Sequence, residues 1–164
     1  HRAATTDNID TLTAVFEGLM RVSDQYPVVL PLHPRTKAAL KRADLLDSVI
    51  KRLTVIEPVG FLDMIKLESH ALHIATDSGG VQKEAYFLRK PCSTLRDTTE
   101  WVELLDLGWA RLTAPTSAEQ VATSVLTHIA DGPPDSIMAD GSLSPYGKGD
   151  SAVRMCCLIE SMVA

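Results

Sequence analysis

TDSGGVQKEAYFL, residues 76–88, is the stretch whose reading decides the fold. It follows an apolar run, ALHIA, of a length and composition that suit a buried strand. The run ends on an acid and a serine, breaks on Gly79-Gly80 and passes directly into a helical pattern. A strand that turns on glycines into a helix opens a strand-helix-strand unit, and such units assemble into a parallel sheet covered on both faces.

The alternation continues outward in both directions. Upstream, IDTLTAVFEGLMRV (9–22) has the three-and-four apolar spacing of an amphipathic helix, with Asp7 or Asn8 as its cap. A Val-rich strand at 28–32 follows, then a helical stretch in two pieces, RTKAALKRADLLDSVIKRL, and a second strand within 53–58. GFLDMIKLESHA reads as a helix with Phe61, Met64 and Ile65 on one face and Asp63 and Lys66 opposite, although Glu68 falls back towards the apolar face. Downstream come a strand at 92–95, a helix in TEWVELLDLG ending at Gly108, a short strand in WARLTAP and a helix opened by Thr116 or Ser117. The expected fold class is α/β, a Rossmann-like doubly wound parallel sheet. Residues 1–130 form the expected domain. Residues 131–150, with four Gly, three Pro and four Asp, read as a loop or linker, and 151–164 as a C-terminal helix.

Composition narrows the function. A chain of 164 residues with 45% hydrophobic content is one ordinary domain, and its net charge of -5 with no basic run makes nucleic acid an unexpected partner. No apolar window is long enough to cross a bilayer, so the expected setting is cytoplasmic, away from membranes. Cys92, Cys156 and Cys157 give neither a disulfide framework nor metal-ligand spacing, and no cofactor is expected. Cys92 reads as a small core residue. His73 and His128 read as packed histidines, and His70 as a surface one.

In a doubly wound sheet, ligands sit beyond the carboxyl ends of the strands, and the polar residues of interest gather there. One exit carries His33-Pro34-Arg35-Thr36, the next Thr76-Asp77-Ser78-Gly79-Gly80, the third Arg96-Asp97-Thr98-Thr99. At the second, Gly79 and Gly80 leave backbone N–H groups and a helix dipole facing the crevice, which suits a phosphate. Ser78 adds a hydroxyl, and Glu84, one turn in, suits the two hydroxyls of a ribose. A plain glycine turn with a solvated Glu84 is the other reading. Arg96 suits a second phosphate contact or an ion pair with Asp97 or Glu100. His33 suits a ligand hydrogen bond or a cap on the next turn. These exits hold no paired carboxylates for proton transfer.

HRAATTD, LPLHPRT, IEPVGFLDMIKLE, TDSGGVQKEA, KPCSTLRDTTEWVELLDLGWARL and PYGKGDSAVR occur in order over nearly the whole chain. Together they resemble the C-terminal half of the non-hydrolysing UDP-N-acetylglucosamine 2-epimerases. The resemblance implies one half of a two-domain B-type glycosyltransferase fold, with a UDP-sugar in the cleft between halves. It implies that Ser78, Gly79 and Gly80 bind the diphosphate and Glu84 the ribose, and that Met64 lies against the uracil. His1 and Arg2 match the family's His-Arg motif at the sugar and diphosphate, which makes His1 the one catalytic candidate here, and His33 matches a pocket histidine. Where the family usually reads His-Arg-x-Glu-Asn, this chain has Ala4 and Thr5. The implied reaction interconverts UDP-GlcNAc and UDP-ManNAc by elimination and re-addition of UDP, its protons handled by carboxylates of an N-terminal half. Two other readings remain open: a glycosyltransferase half and a non-catalytic UDP-sugar-binding module.

The chain begins His1-Arg2-Ala3, with no Met and no leading strand, and is expected to be a piece of something longer. The first strand of the half is then missing, and in the 3-2-1-4-5-6 order that strand is central. Its loss exposes two edges. If the chain is whole as given, it is therefore expected to be marginal or to aggregate; alone it is expected to be inactive, and the expected assembly at full length is a homodimer.

Overall fold

The computed structural model describes residues 2–134, 145–147 and 149–163. The chain divides into two compact units, His1–Pro133 and Pro134–Ala164. The first runs α1 (Ala3–Thr6), α2 (Ile9–Val22), β1 (Val29–Pro31), α3 (Pro34–Arg42), α4 (Leu46–Arg52), β2 (Thr54–Ile56), α5 (Phe61–His70), β3 (Ile74–Thr76), α6 (Gly79–Phe87), β4 (Cys92–Thr94), α7 (Val102–Asp106), β5 (Ala110–Leu112) and α8 (Ala118–Asp131). The described part of the second unit holds α9 (Ser151–Val163). The loop expected at 131–150 lies largely outside the described residues.

Every strand pairing is parallel. β1 pairs with β2 as one sheet, and β3, β4 and β5 pair in that order as another. Taking the first strand out of the order 3-2-1-4-5-6 leaves a pair, 3-2, and a triplet, 4-5-6, which are the two sheets observed. β1 and β3 each keep one unpaired edge among the described strands. The doubly wound α/β class expected from the alternation is the class observed.

Sequence chemistry sets the element ends. Asn8 caps α2, its side chain accepting from the Thr11 N–H at 3.0 Å, and Ser117 caps α8 by accepting from the Gln120 N–H at 3.1 Å. Asp44, in the left-handed region at φ 57°, separates α3 from α4, a conformation that a short polar side chain tolerates. The main core lies where the apolar stripes of α2 and α8 meet, joined by Leu40 of α3, Val49 of α4 and Leu32, Leu53 and Leu95, which flank β1, β2 and β4. Gly18 makes that approach close: a Cβ there would lie 2.6 Å from Val121.

One expectation is refined and one corrected. Phe61, Met64 and Ile65 share one side of α5 as expected, but that side is unevenly covered: Phe61 is 68% exposed, while the other two are half-buried. The helix expected through TEWVELLDLG is one short turn-and-a-half, Val102–Asp106, because the Thr99 and Trp101 side chains are engaged with Gln82 and Gly79 of α6 ahead of it.

Candidate functional site

The β3 and β4 exits meet at the N-terminus of α6, and α1 ties the β1 exit to the β3 exit. Arg96, beyond β4, pairs with Glu100 at 2.9 Å, and the Arg2 guanidinium reaches the other oxygen of the same carboxylate at 3.2 Å. The backbone N–H of Glu100 and the Arg96 guanidinium hold the Glu100 carboxyl below its usual range. Its Oε1 atom occupies the space a side chain at Gly79 would need, because a Cβ there would fall 2.1 Å away. A side chain at 79 would therefore have to push the end of Glu100 aside. Trp101 closes the arrangement, its indole N–H donating to the Gly79 carbonyl at 2.8 Å, with the Lys83 ammonium 3.7 Å from the ring centroid.

Ser78 stands at the N-cap of α6 in extended backbone, yet its hydroxyl makes no capping bond. Its N–H donates to the Thr76 hydroxyl at 3.0 Å, which sets the turn. The first N–H groups of any helix lack partners within it, so the Gly79-Gly80 turn presents donors together with the positive end of the helix dipole. Gly80 is exposed, and Glu84 lies half-buried on the next turn. A diphosphate at the turn with a ribose over Glu84 is chemically consistent with this geometry.

α1 was not foreseen as an element, and it links the exits. Asp77 accepts from the Arg2 backbone N–H at 3.1 Å and from the Thr5 hydroxyl at 3.0 Å. Arg35, just past β1, donates to the Thr6 hydroxyl at 2.9 Å and to both Asp7 oxygens at 2.8 and 2.9 Å. Thr5 thus has its own partner in Asp77. Gln82 was also passed over: fully buried, it accepts from the Thr99 hydroxyl at 2.6 Å and donates to the Ser78 carbonyl at 3.3 Å, joining the β4 exit to the glycine turn. Its place in a helix otherwise read for Glu84 was the available signal.

The remaining candidates are placed as follows. His33 caps α3, its Nδ1 accepting from the Arg35 N–H at 3.1 Å. Met64 sits on α5 with its N–H donating to the Gly60 carbonyl at 2.9 Å. A depression of about 330 Å³ beside α5 is lined by Ile56, Val59, Asp63, Lys66, Leu67 and His70, so Met64 is not among its walls. His1 lies outside the described residues. Among the described residues, no group of three His, Cys, Asp or Glu comes together as a metal site, and no helix is long and apolar enough to cross a membrane.

Residues 1–160 match the family model described as UDP-N-acetylglucosamine 2-epimerase. The UDP-2,3-diacetamido-2,3-dideoxy-D-glucuronate 2-epimerase of Pseudomonas aeruginosa is 42% identical over 156 residues, which are 94% of this chain and 41% of that protein. A UDP-N-acetylglucosamine 2-epimerase homologue of Methanococcus maripaludis is 36% identical over 99% of this chain and 43% of its own. Among solved structures, the UDP-GlcNAc 2-epimerase of Methanocaldococcus jannaschii in complex with UDP-GlcNAc and UDP superposes with a TM-score of 0.81 at 34% identity, over 98% of this chain and 43% of that one. This chain spans about two fifths of the length of the relatives it matches. By sequence and by fold, it belongs to the UDP-N-acetylglucosamine 2-epimerase family.

Proposed function

We propose that this chain is the UDP-holding, C-terminal part of a UDP-sugar 2-epimerase. The observation that carries the reading is the meeting of the β3 and β4 exits at a glycine turn before α6, with Glu84 one turn further on. Ser78 and the Gly79-Gly80 N–H groups take the diphosphate, assisted by Arg2 and Arg96, which now share the Glu100 carboxylate. Glu84 takes the ribose hydroxyls, Met64 lies against the uracil, and His33 is a further contact of the pocket.

In the proposed reaction a base removes the C2 proton and the C1–O bond breaks, its electron pair leaving with UDP as C1=C2 forms. UDP oxygen then adds back to C1 while a proton is delivered to the opposite face of C2. This chain's part is to hold the leaving group and stabilise the charge that gathers on its β-phosphate. His1 beside Arg2 is the candidate from this chain for the sugar end; the other proton carriers belong to the rest of the protein. UDP-GlcNAc and UDP-ManNAc are the proposed pair, and a diacetamido sugar is the second reading because of the Pseudomonas relative.

Titration of UDP into the complete protein tests the site. Saturable binding weakened about tenfold or more in both Ser78→Ala and Glu84→Ala is expected, the size of a lost charge-assisted hydrogen bond. Binding indifferent to both substitutions overturns it. Proton NMR of the products with UDP-GlcNAc separates the chemistries: an epimer supports this reading, transfer to an acceptor a glycosyltransferase, and no turnover a binding module.

A further inference from the structure

Glu68 is the anomaly of α5. Glutamate is rarely buried without a partner, yet Glu68 is only 3% exposed and no donor among the described residues reaches either of its carboxylate oxygens. α5 packs against α6, and the Glu84 carboxylate lies beside that of Glu68. Two carboxylates meeting in a buried place with no N–H or O–H between them need a proton, since like charges at that range repel and neither is solvated. Glu84 is half-buried and keeps access to solvent, so the proton belongs on Glu68.

We propose that Glu68 is a positioning residue: it stays protonated and donates its carboxyl O–H to Glu84, fixing that carboxylate in the orientation that receives the ribose. The inference rests on Glu84 being the ribose partner. One Glu84 oxygen then accepts from the Glu68 carboxyl, and the other accepts from the nucleoside.

The surroundings agree. Burial first, then the Glu84 charge, raise the Glu68 carboxyl from 4.5 to about 7. Among the described residues, the charge that acts on it is that of Glu84, which raises it further. From β4 its titratable neighbour is Cys92, a buried thiol pushed up to about 12 and hence neutral. Asp63, Lys66 and His70 of its own helix are exposed, and Lys83 of α6 sits over the Trp101 ring. The consequence follows from the direction of the shift. As pH rises through about 7, Glu68 ionises, the donated hydrogen bond is lost and Glu84 is repelled, so nucleotide affinity falls with rising pH.

The test is the affinity for UDP, by calorimetry on the complete protein between about pH 6 and 8.5, a range that spans the Glu68 transition. In the wild type the affinity should fall about tenfold towards the alkaline end, the size of one charge-assisted hydrogen bond. Glu68→Gln, whose amide still donates but does not titrate, should keep the low-pH affinity and lose this fall. Ionisation of the UDP phosphate is common to both proteins and cancels in their ratio. Glu68→Met, with neither donor nor charge, should bind weakly at every pH. Identical profiles in wild type and Glu68→Gln overturn the inference even where Glu84→Ala abolishes binding, whereas indifference to Glu84→Ala overturns the underlying site. Should Glu68→Gln fail to fold, carboxyl ¹³C NMR of the wild type decides: UDP must raise the Glu68 titration midpoint, by reciprocity, and an unchanged or lowered midpoint overturns the inference.

Discussion

Acidification from about pH 7.5 to 5 sets two buried features of this fold against each other. His73 and His128 meet edge to face, 4.8 Å between ring centroids, with the Ser93 hydroxyl 2.9 Å from one and 3.3 Å from the other. Burial holds His73 down at about 3 and His128 at about 4, from an ordinary 6.5. With folded values below unfolded ones, the unfolded chain takes up protons first, and stability is lost as pH falls below 6.5. By pH 5 each histidine costs at most about 2 kcal/mol, the partly exposed His73 somewhat less. Glu68 runs the other way. Its folded value near 7 lies above the unfolded 4.5, so the folded state takes up the proton first and gains stability as pH falls through 7. That gain is about 2 kcal/mol by pH 5, which leaves the wild type a net loss of about 2 kcal/mol. Glu68→Gln removes the gain, and its loss over the same interval should be about 4 kcal/mol. Asp7, Asp77 and Glu100, all held below their ordinary values, titrate under this window and do not interfere. Urea denaturation at constant ionic strength reads both slopes. Equal slopes in the two proteins would refute the proton on Glu68, and a flat profile in Glu68→Gln would refute the neutral histidine pair.

Three further outcomes are expected. Gly18→Ala should lower the thermal midpoint, because its methyl would meet the stiff Val121 side chain at 2.6 Å; overpacking of about 1–3 kcal/mol outweighs the gain of about 1 kcal/mol in helix propensity. An unchanged or raised midpoint would show that α2 and α8 separate freely. His33→Ala removes the acceptor that caps α3 and should cost about 1 kcal/mol in urea denaturation, with a change under a few tenths meaning that the cap is idle. Gly79→Ala should displace only the flexible end of Glu100, whose exposed pairs contribute under about 1 kcal/mol, so stability holds while UDP affinity drops. Loss of both would mark the glycine as structural, and loss of neither would remove the turn from the binding site.

The strand-helix alternation was legible because each apolar run is short, Val- or Ala-rich and closed by a turn residue. The runs overreach the strands: residues 28–32 contain a three-residue strand, and the flanking Val28 and Leu32 each add one backbone bond to β2, from the Thr54 N–H to the Val28 carbonyl at 2.9 Å and from the Leu32 N–H to the Ile56 carbonyl at 3.0 Å, while their side chains serve the core. The glycine turn, Glu84 and Arg96 were legible as types at exits. What escaped depends on contacts distant in sequence. AATT has no apolar period, and α1 is held by Asp77 and Arg35, which lie 72 and 29 residues from their partners Thr5 and Thr6. Gln82 answers to Thr99, and Gly79 to Glu100, neither visible from local spacing. Glu68 showed itself only as a misfit on an apolar face; its neighbour Glu84 lies one helix further on.

The indole of Trp101 gives the glycine turn an optical reporter of its own. Its N–H is held by the Gly79 carbonyl and its ring is covered by the Lys83 ammonium, so any ligand that reshapes the first turn of α6 alters the polarity and the charge around that fluorophore. Trp109, the other tryptophan, is 3% exposed behind β5 and supplies a steady background. Occupancy of the turn can therefore be followed in the unlabelled protein, by emission alone, at protein concentrations far below those calorimetry requires.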